Sequence, residues 1–336
     1  MTSSIPISLT EYNAVRQNGC GVIDLSSRGR IRVSGSEAVM FLNGLITNDM
    51  KTLEEGRWMP AVFPNVQGRL IAAVRVIRLT GNSGFLLDTE ARTHQALLKT
   101  IERFTMAGDF KVADVTGETF MLAIQGRKAK EVVERLIGMS VADIPRDGVV
   151  ETKRNNGSIT IIHASHTAED GFDLIVPRDA RSEIMEALKA ADVTPISEET
   201  FDVLRIEAGV GRFGQDMDET NVVIEANLDD AISFTKGCYI GQEIIIRIKH
   251  RGHVAKKLTG LRFENGEVAT PGALIKSNDG KEIGRITSVT FSPALEKAIA
   301  LGYVRYEHLT PGSEVVVGEN DMKAVVTELP FIKPSS

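Results

Sequence analysis

Three runs decide how this chain is read: Leu204-Arg-Ile-Glu-Ala-Gly-Val-Gly-Arg-Phe-Gly-Gln-Asp-Met-Asp-Glu-Thr220, then Ile224-Glu-Ala-Asn-Leu228, then Lys236-Gly-Cys-Tyr-Ile-Gly-Gln-Glu243. The first contains Gly209-Val-Gly-Arg-Phe-Gly214, which matches the dinucleotide fingerprint letter for letter. That loop works only between a strand and a helix N-terminus, where peptide N–H groups face a pyrophosphate. Here residues 201–208 read as a helix and residues 215–220 carry no clear apolar stripe, so NAD binding is rejected. Asp216-Met217-Asp218 opens like a calcium loop, but Asn221 stands where the sharp turn requires glycine. In the second run Ile224, Ala226 and Leu228 flank Glu225, which favours a partly buried carboxylate over a solvated one. In the third, Cys238 lies between Gly237 and Gly241 with Lys236 two positions before it. Nearby positive charge in an accessible loop favours the thiolate, the form that binds metals and attacks electrophiles.

Outward from these runs the texture differs on the two sides. Towards the N-terminus, Ser34 offers a cap and Val39, Leu42 and Ile46 form one stripe of a helix expected to end near Asn48. Residues 59–64 and 69–79 read as a β-hairpin turning at residues 65–68. Two later stretches look alike and begin 87 residues apart, at Gly84 and Gly171. Each leads from an apolar strand into a helix, one through Leu97, Leu98, Ile101 and Phe104, the other through Ile184, Met185 and Leu188, which suggests a duplicated α/β lobe. After Gly252 short strand-like runs at 258–263, 273–276, 283–291, 298–304 and 315–317 are separated by Thr270-Pro-Gly272, Asn278-Asp-Gly280 and Thr310-Pro-Gly312, the pattern of a small antiparallel barrel. The expected architecture is α+β: residues 1–251 as two similar lobes, residues 252–336 as a C-terminal β-barrel.

Composition narrows the function. In 336 residues, 42% hydrophobic and 25% charged, there is the makeup of an ordinary globular protein. The net charge of −6 has the wrong sign for gripping DNA with the whole surface. Two cysteines, Cys20 and Cys238, exclude a disulfide framework and a self-contained four-cysteine metal site. The run 70–79 is broken by Arg75 and Arg78 and cannot span a bilayer, and the first residues lack a signal peptide's pattern, so a cytoplasmic protein is expected. His163 with His166, and His250 with His253, have metal-like spacing but no carboxylates or cysteines close in sequence, and they read as surface or core histidines.

The three runs together resemble the glycine-cleavage T-protein superfamily, and Lys236-Gly-Cys-Tyr-Ile-Gly-Gln-Glu243 is similar to the hallmark of its YgfZ branch. Leu45-Ile-Thr-Asn-Asp49 adds to the likeness. The resemblance implies a tetrahydrofolate ligand, with Glu225 at the pterin-binding position and Tyr239, Gln242, Arg247 and Arg251 around the ligand. It implies that the protein supports iron–sulfur enzymes, including tRNA-modifying ones, or their assembly factors, through Cys238 and Lys236. It further implies neither DNA nor membrane partners, and a monomer or weak dimer. T-proteins carry an Asp-Asp pair after a Gly-rich turn, where this chain has Ala72 and Ala73, a departure that argues against aminomethyl transfer, the alternative activity. Asp49 and Asp88 are the nearest acids that could replace the pair. Arg247, Lys249, Arg251, Lys256 and Lys257 form a run without acids, expected to attract a polyglutamate tail.

Overall fold

Successive side chains of a strand point to opposite faces, so a strand that is apolar at every position must be covered twice. Thr119–Gln125 is such a strand: Phe120, Leu122 and Ile124 enter one core, while Met121 and Ala123 enter another. The computed structural model, which describes residues 7–81, 83–154, 157–250, 252–264 and 268–333, shows how both faces are covered.

The first lobe runs strand Gly29–Ser34, helix Ala38–Leu45, strands Arg57–Pro64, Leu70–Arg78 and Phe85–Thr89, helix Ala91–Glu102 and strand Lys111–Asp114. The second repeats the order as Thr119–Gln125, helix Ala129–Ile137, strands Val149–Arg154, Gly157–His163 and Gly171–Pro177, then helix Arg181–Ala190. Four strands share the same neighbours in both sheets, 57–64, 70–78, 85–89, 29–34 in one and 149–154, 157–163, 171–177, 119–125 in the other. Even the strand-to-helix turn is copied. Gly35 and Gly126 both have positive φ, and a Cβ would meet the Asp109 carbonyl at 2.1 Å in one and the Gly19 carbonyl at 2.9 Å in the other. In each lobe the helices cover one face of the sheet. The remaining faces meet each other through Ile77, Leu79 and Leu86 of the first lobe and Ile23, Met121, Ile162 and Ile175 of the second.

The duplicated lobes and the barrel match the sequence reading, with local corrections. The first helix ends at Leu45, and Ser36, not Ser34, holds its start by donating its N–H and hydroxyl to Asp109. The barrel closes with six strands in the order 256–263, 297–305, 282–292, 274–276, 314–317, 322–327. The last, Met322–Thr327, carries a weak strand signal because only Ala324 and Val326 are fully buried, with Met322 packed at the core's edge. Gln242–His250, which carries the first bases of the basic run, forms a helix.

The helix Glu198–Glu207 seats the barrel on the lobes. Ile206 joins Leu258, Ile299 and Leu301 in an apolar patch, while Arg205 donates to Ser288 Oγ at 2.9 Å and to Asp216 at 2.7 Å. Ser292 Oγ donates to Glu207 at 2.5 Å, and Glu207 also takes bonds from Tyr12 and Arg16. Among the described residues no helix is long and apolar enough to cross a membrane.

Candidate functional site

The Lys236–Glu243 run is a strap that ties the segment after the second lobe onto the first. Lys236 points its ammonium at the C-terminal end of helix Ala38–Leu45, donating to the carbonyls of Asn43 at 2.6 Å, Ile46 at 2.9 Å and Asn48 at 2.7 Å. A cation there complements both the orphan carbonyls and the helix dipole. Burial lowers its pKa to about 8, with Asp49 opposing. Ile240 N–H bonds the Gly44 carbonyl, and Tyr239 is buried beside Val62, Leu70 and Ile245. Gly241 has φ +77° and hugs the hairpin turn so closely that a Cβ would lie 2.4 Å from the Asn65 carbonyl. Gly241→Ala should therefore cost at least about 2 kcal/mol, from the left-handed backbone plus the clash. Gly237→Ala is the control, since a Cβ there meets nothing within 4 Å. Equal urea midpoints for the two variants would refute this account of the strap.

Held this way, the strap exposes Cys238. Lys236 does not serve that thiol as the sequence suggested, because its three donors are spent on backbone carbonyls across the interface. Gln242 steadies the loop through a 3.4 Å bond to the Gly237 carbonyl. Cys20 is buried, which pushes its thiol up to about 12 and leaves it inert.

Glu225 ends the short turn Val223–Glu225 where lobe, strap and barrel meet. Its position follows from the hairpin: Arg69 bridges to Val222, and the Val223 N–H bonds the Gly68 carbonyl. The carboxylate is partly buried, as its apolar neighbours predicted. Burial raises its pKa, against which work Lys256, the Val222 N–H, Arg69 and Asn221. Two tyrosine hydroxyls in this quarter, Tyr239 and Tyr303, are buried without a hydrogen-bond partner. Tyr303 carries the Lys256 ammonium 5.0 Å from its ring centre; burial raises the pKa of its hydroxyl, and Glu225 is foremost among the charges that raise it further.

Ala72 faces the helices and is fully buried in the first-lobe core, whereas Ala73 shares the inter-lobe face with Arg75. An acid at 72 would thus be buried in an apolar core; only position 73 looks between the lobes. Asp88, weighed as a substitute, is locked. It is fully buried and paired with Arg28 at 2.7 Å and Arg75 at 2.7 Å. Burial works to raise its pKa, but the two guanidinium groups outweigh it and hold it at about 2. Asp49 binds the Lys51 N–H beside the strap and is not part of this face.

The sequence reading missed the arrangement around Arg75. Its Nη1 lies 2.6 Å from Asp173 of the second lobe, and Asp173 accepts from His166 at 2.9 Å. Arg75 and His166 line a cavity of about 500 Å³ with Arg28, Phe201 and Arg212. His163 likewise pairs with Asp170 at 2.7 Å, which raises the imidazole pKa. The acids that seemed to be missing from the histidine pair stand seven residues on, delivered across a hairpin. That recurring seven-residue spacing was the available signal.

The basic run does not converge on one point. Arg247 pairs with Glu243 at 2.7 Å, Lys257 with Asp229 at 2.5 Å, and Lys249 sits 4.8 Å over the Phe234 ring. Among the described bases of the run, Lys256 is the one that acts on Glu225. Arg251 lies outside the described residues.

Two facing lobes closed by a six-stranded barrel, with a carboxylate at their junction, define a protein of T-protein architecture. Residues 3–236 match the GCVT N-terminal domain and residues 256–333 the glycine cleavage T-protein C-terminal barrel domain, and the chain belongs to this family. It is 30% identical to an aminomethyltransferase of Thermotoga neapolitana, covering 97% of this chain and 89% of the relative. It is also 30% identical to one of Synechocystis, with 91% and 83% covered. The solved glycine cleavage system aminomethyltransferase T from Bartonella henselae superposes with a TM-score of 0.89 at 25% identity, covering 97% of this chain and 90% of that one. The relatives carry the aminomethyltransferase name, so what the resemblance implied is supported for the superfamily and not for its YgfZ branch.

Proposed function

We propose that this chain binds a tetrahydrofolate and works in folate-linked one-carbon chemistry of the kind for which its relatives are named. The observation that carries this reading is the partly buried Glu225 at the junction of lobe, strap and barrel, flanked by a buried hydroxyl without a partner. A pterin offers adjacent N–H donors on one edge, and one carboxylate accepts both. Arg69 and Lys256 favour the ionised form that does so. Bound folate would supply the nitrogen that receives or carries the one-carbon unit. On this reading Tyr239 and Gln242 of the strap lie beside the ligand, and Arg247 and Arg251 serve its acidic tail.

A second reading is that of the YgfZ branch, in which folate and the Cys238 thiol support iron–sulfur enzymes. Two observations favour it: Cys238 is displayed by a strap whose Lys236 is occupied by backbone carbonyls, and no free acid stands at 72, 73 or 88. One thiolate cannot hold a cluster alone, so any cluster contact is shared with a client or a ligand.

Calorimetric titration of the whole chain with folinate should show saturable binding; failure to bind sinks both readings. Formation of methylene-tetrahydrofolate and ammonia from an aminomethyl donor and added tetrahydrofolate, unaffected by Cys238→Ser, would establish the first. Absence of transfer, with loss of cluster-enzyme activity in cells carrying only Cys238→Ser, would establish the second.

A further inference from the structure

Tyr303 sits on the barrel strand Lys297–Arg305 with its ring packed among Ile206, Leu258, Ile299 and Leu301. It is 7% exposed, and its hydroxyl has no hydrogen-bond partner among the described residues. Two buried hydroxyls elsewhere in the chain are served: Tyr12 donates to Glu207 at 2.8 Å, and Ser288 to Asp216 at 2.6 Å. A buried donor without an acceptor costs stability and returns none, so a packing role alone would be filled better by phenylalanine.

The surroundings show what the hydroxyl faces. Three carboxylates act on it, Glu225 foremost, then Asp216 and Asp218. The oxygens of Asp216 are taken by Arg205, Thr287, Ser288 and the Arg212 N–H, and Asp218 Oδ1 receives Thr220. Glu225 accepts a long 3.4 Å contact from the Val222 N–H and has the Asn221 side chain beside it, which leaves acceptor capacity at the corner that holds the idle donor. Lys256, over the Tyr303 ring, completes it from the barrel side.

We infer that the Tyr303 hydroxyl is the barrel's contribution to the ligand site, donating to the ring carbonyl oxygen of a 4-oxo pteridine whose adjacent N–H edge is held by Glu225. This rests on the folate reading above. On such a ring the carbonyl oxygen follows directly on the two N–H donors. A carboxylate satisfies the donors, and the carbonyl then needs a donor that Glu225 cannot be. The pairing gives the barrel a part in recognising the ring.

The test is Tyr303→Phe in the full chain, titrated with folinate and with 6-methyltetrahydropterin, which lacks the benzoylglutamate tail. The variant should bind both about tenfold more weakly, since the lost contact lies in the ring they share. Its urea midpoint should be unchanged or higher, because an unsatisfied hydroxyl has been removed. Wild-type affinity in the variant overturns the inference, as does a lowered midpoint accompanying the weaker binding. If the wild type binds neither compound, the folate reading itself fails, a result distinct from the other two.

Discussion

Arg75→Met should cost the protein about 3–5 kcal/mol at pH 7, the range for removing one partner from a buried charge network. Arg75 pairs with a fully buried acid on each lobe, Asp88 and Asp173. Methionine keeps the apolar stem and removes only the charge, so the loss reads out the uncompensated carboxylates. In the wild type, burial raises Asp88 but Arg28 and Arg75 outweigh it, and its pKa is depressed to about 2. A depressed carboxylate stabilises the fold above its unfolded pKa near 4, and that stabilisation fades only as pH falls towards 2. In the variant, burial is opposed by fewer cations, so the folded pKa values of both acids rise and the penalty lifts as they take up protons. The stability gap should therefore narrow from pH 7 to pH 5. Urea unfolding at the two pH values tests this; a gap below about 1 kcal/mol, or one that widens on acidification, would remove Arg75 as the clasp between the lobes.

Glu225→Gln should weaken folinate binding about 100-fold, the loss expected when two charge-assisted hydrogen bonds of about 1.5–3 kcal/mol each are replaced by one acceptor and one opposed donor. Folding should not suffer. Because burial raises the Glu225 pKa, ionising it costs stability as pH rises through the carboxylate range, and the amide escapes that cost. The expected signature at pH 7 is a lost binding isotherm with an unchanged or higher urea midpoint. Binding within threefold of wild type would move the pterin elsewhere.

Much of this was readable from periodicity and turn chemistry. The duplicated strand-to-helix units at Gly84 and Gly171 and the spacing of Pro-Gly and Asp-Gly turns after Gly252 set out two lobes and a barrel, since each signal is local. Glu225 was also legible, because its apolar flanks place it at the edge of a core. What the order of residues could not show is what each polar group faces. Arg75 looked like an interruption in an apolar strand and is the link between the lobes. Lys236 looked like an activator of Cys238 and is a helix clamp. His163 and His166 looked unpartnered, yet each meets an acid brought round by a hairpin.

The chain by itself thus determined the number and kind of its modules, and the strap motif that distinguishes it, because periodicity, turns and glycines act over a few residues. Only the tertiary structure decided which charges meet: Asp88 is locked, Cys238 is displayed, and Tyr303 from the barrel shares a corner with Glu225. Those pairings, with the Lys236 clamp that holds the strap, join residues 13 to 193 positions apart, and their energies depend on burial and distance, quantities that exist only once the lobes have closed on each other.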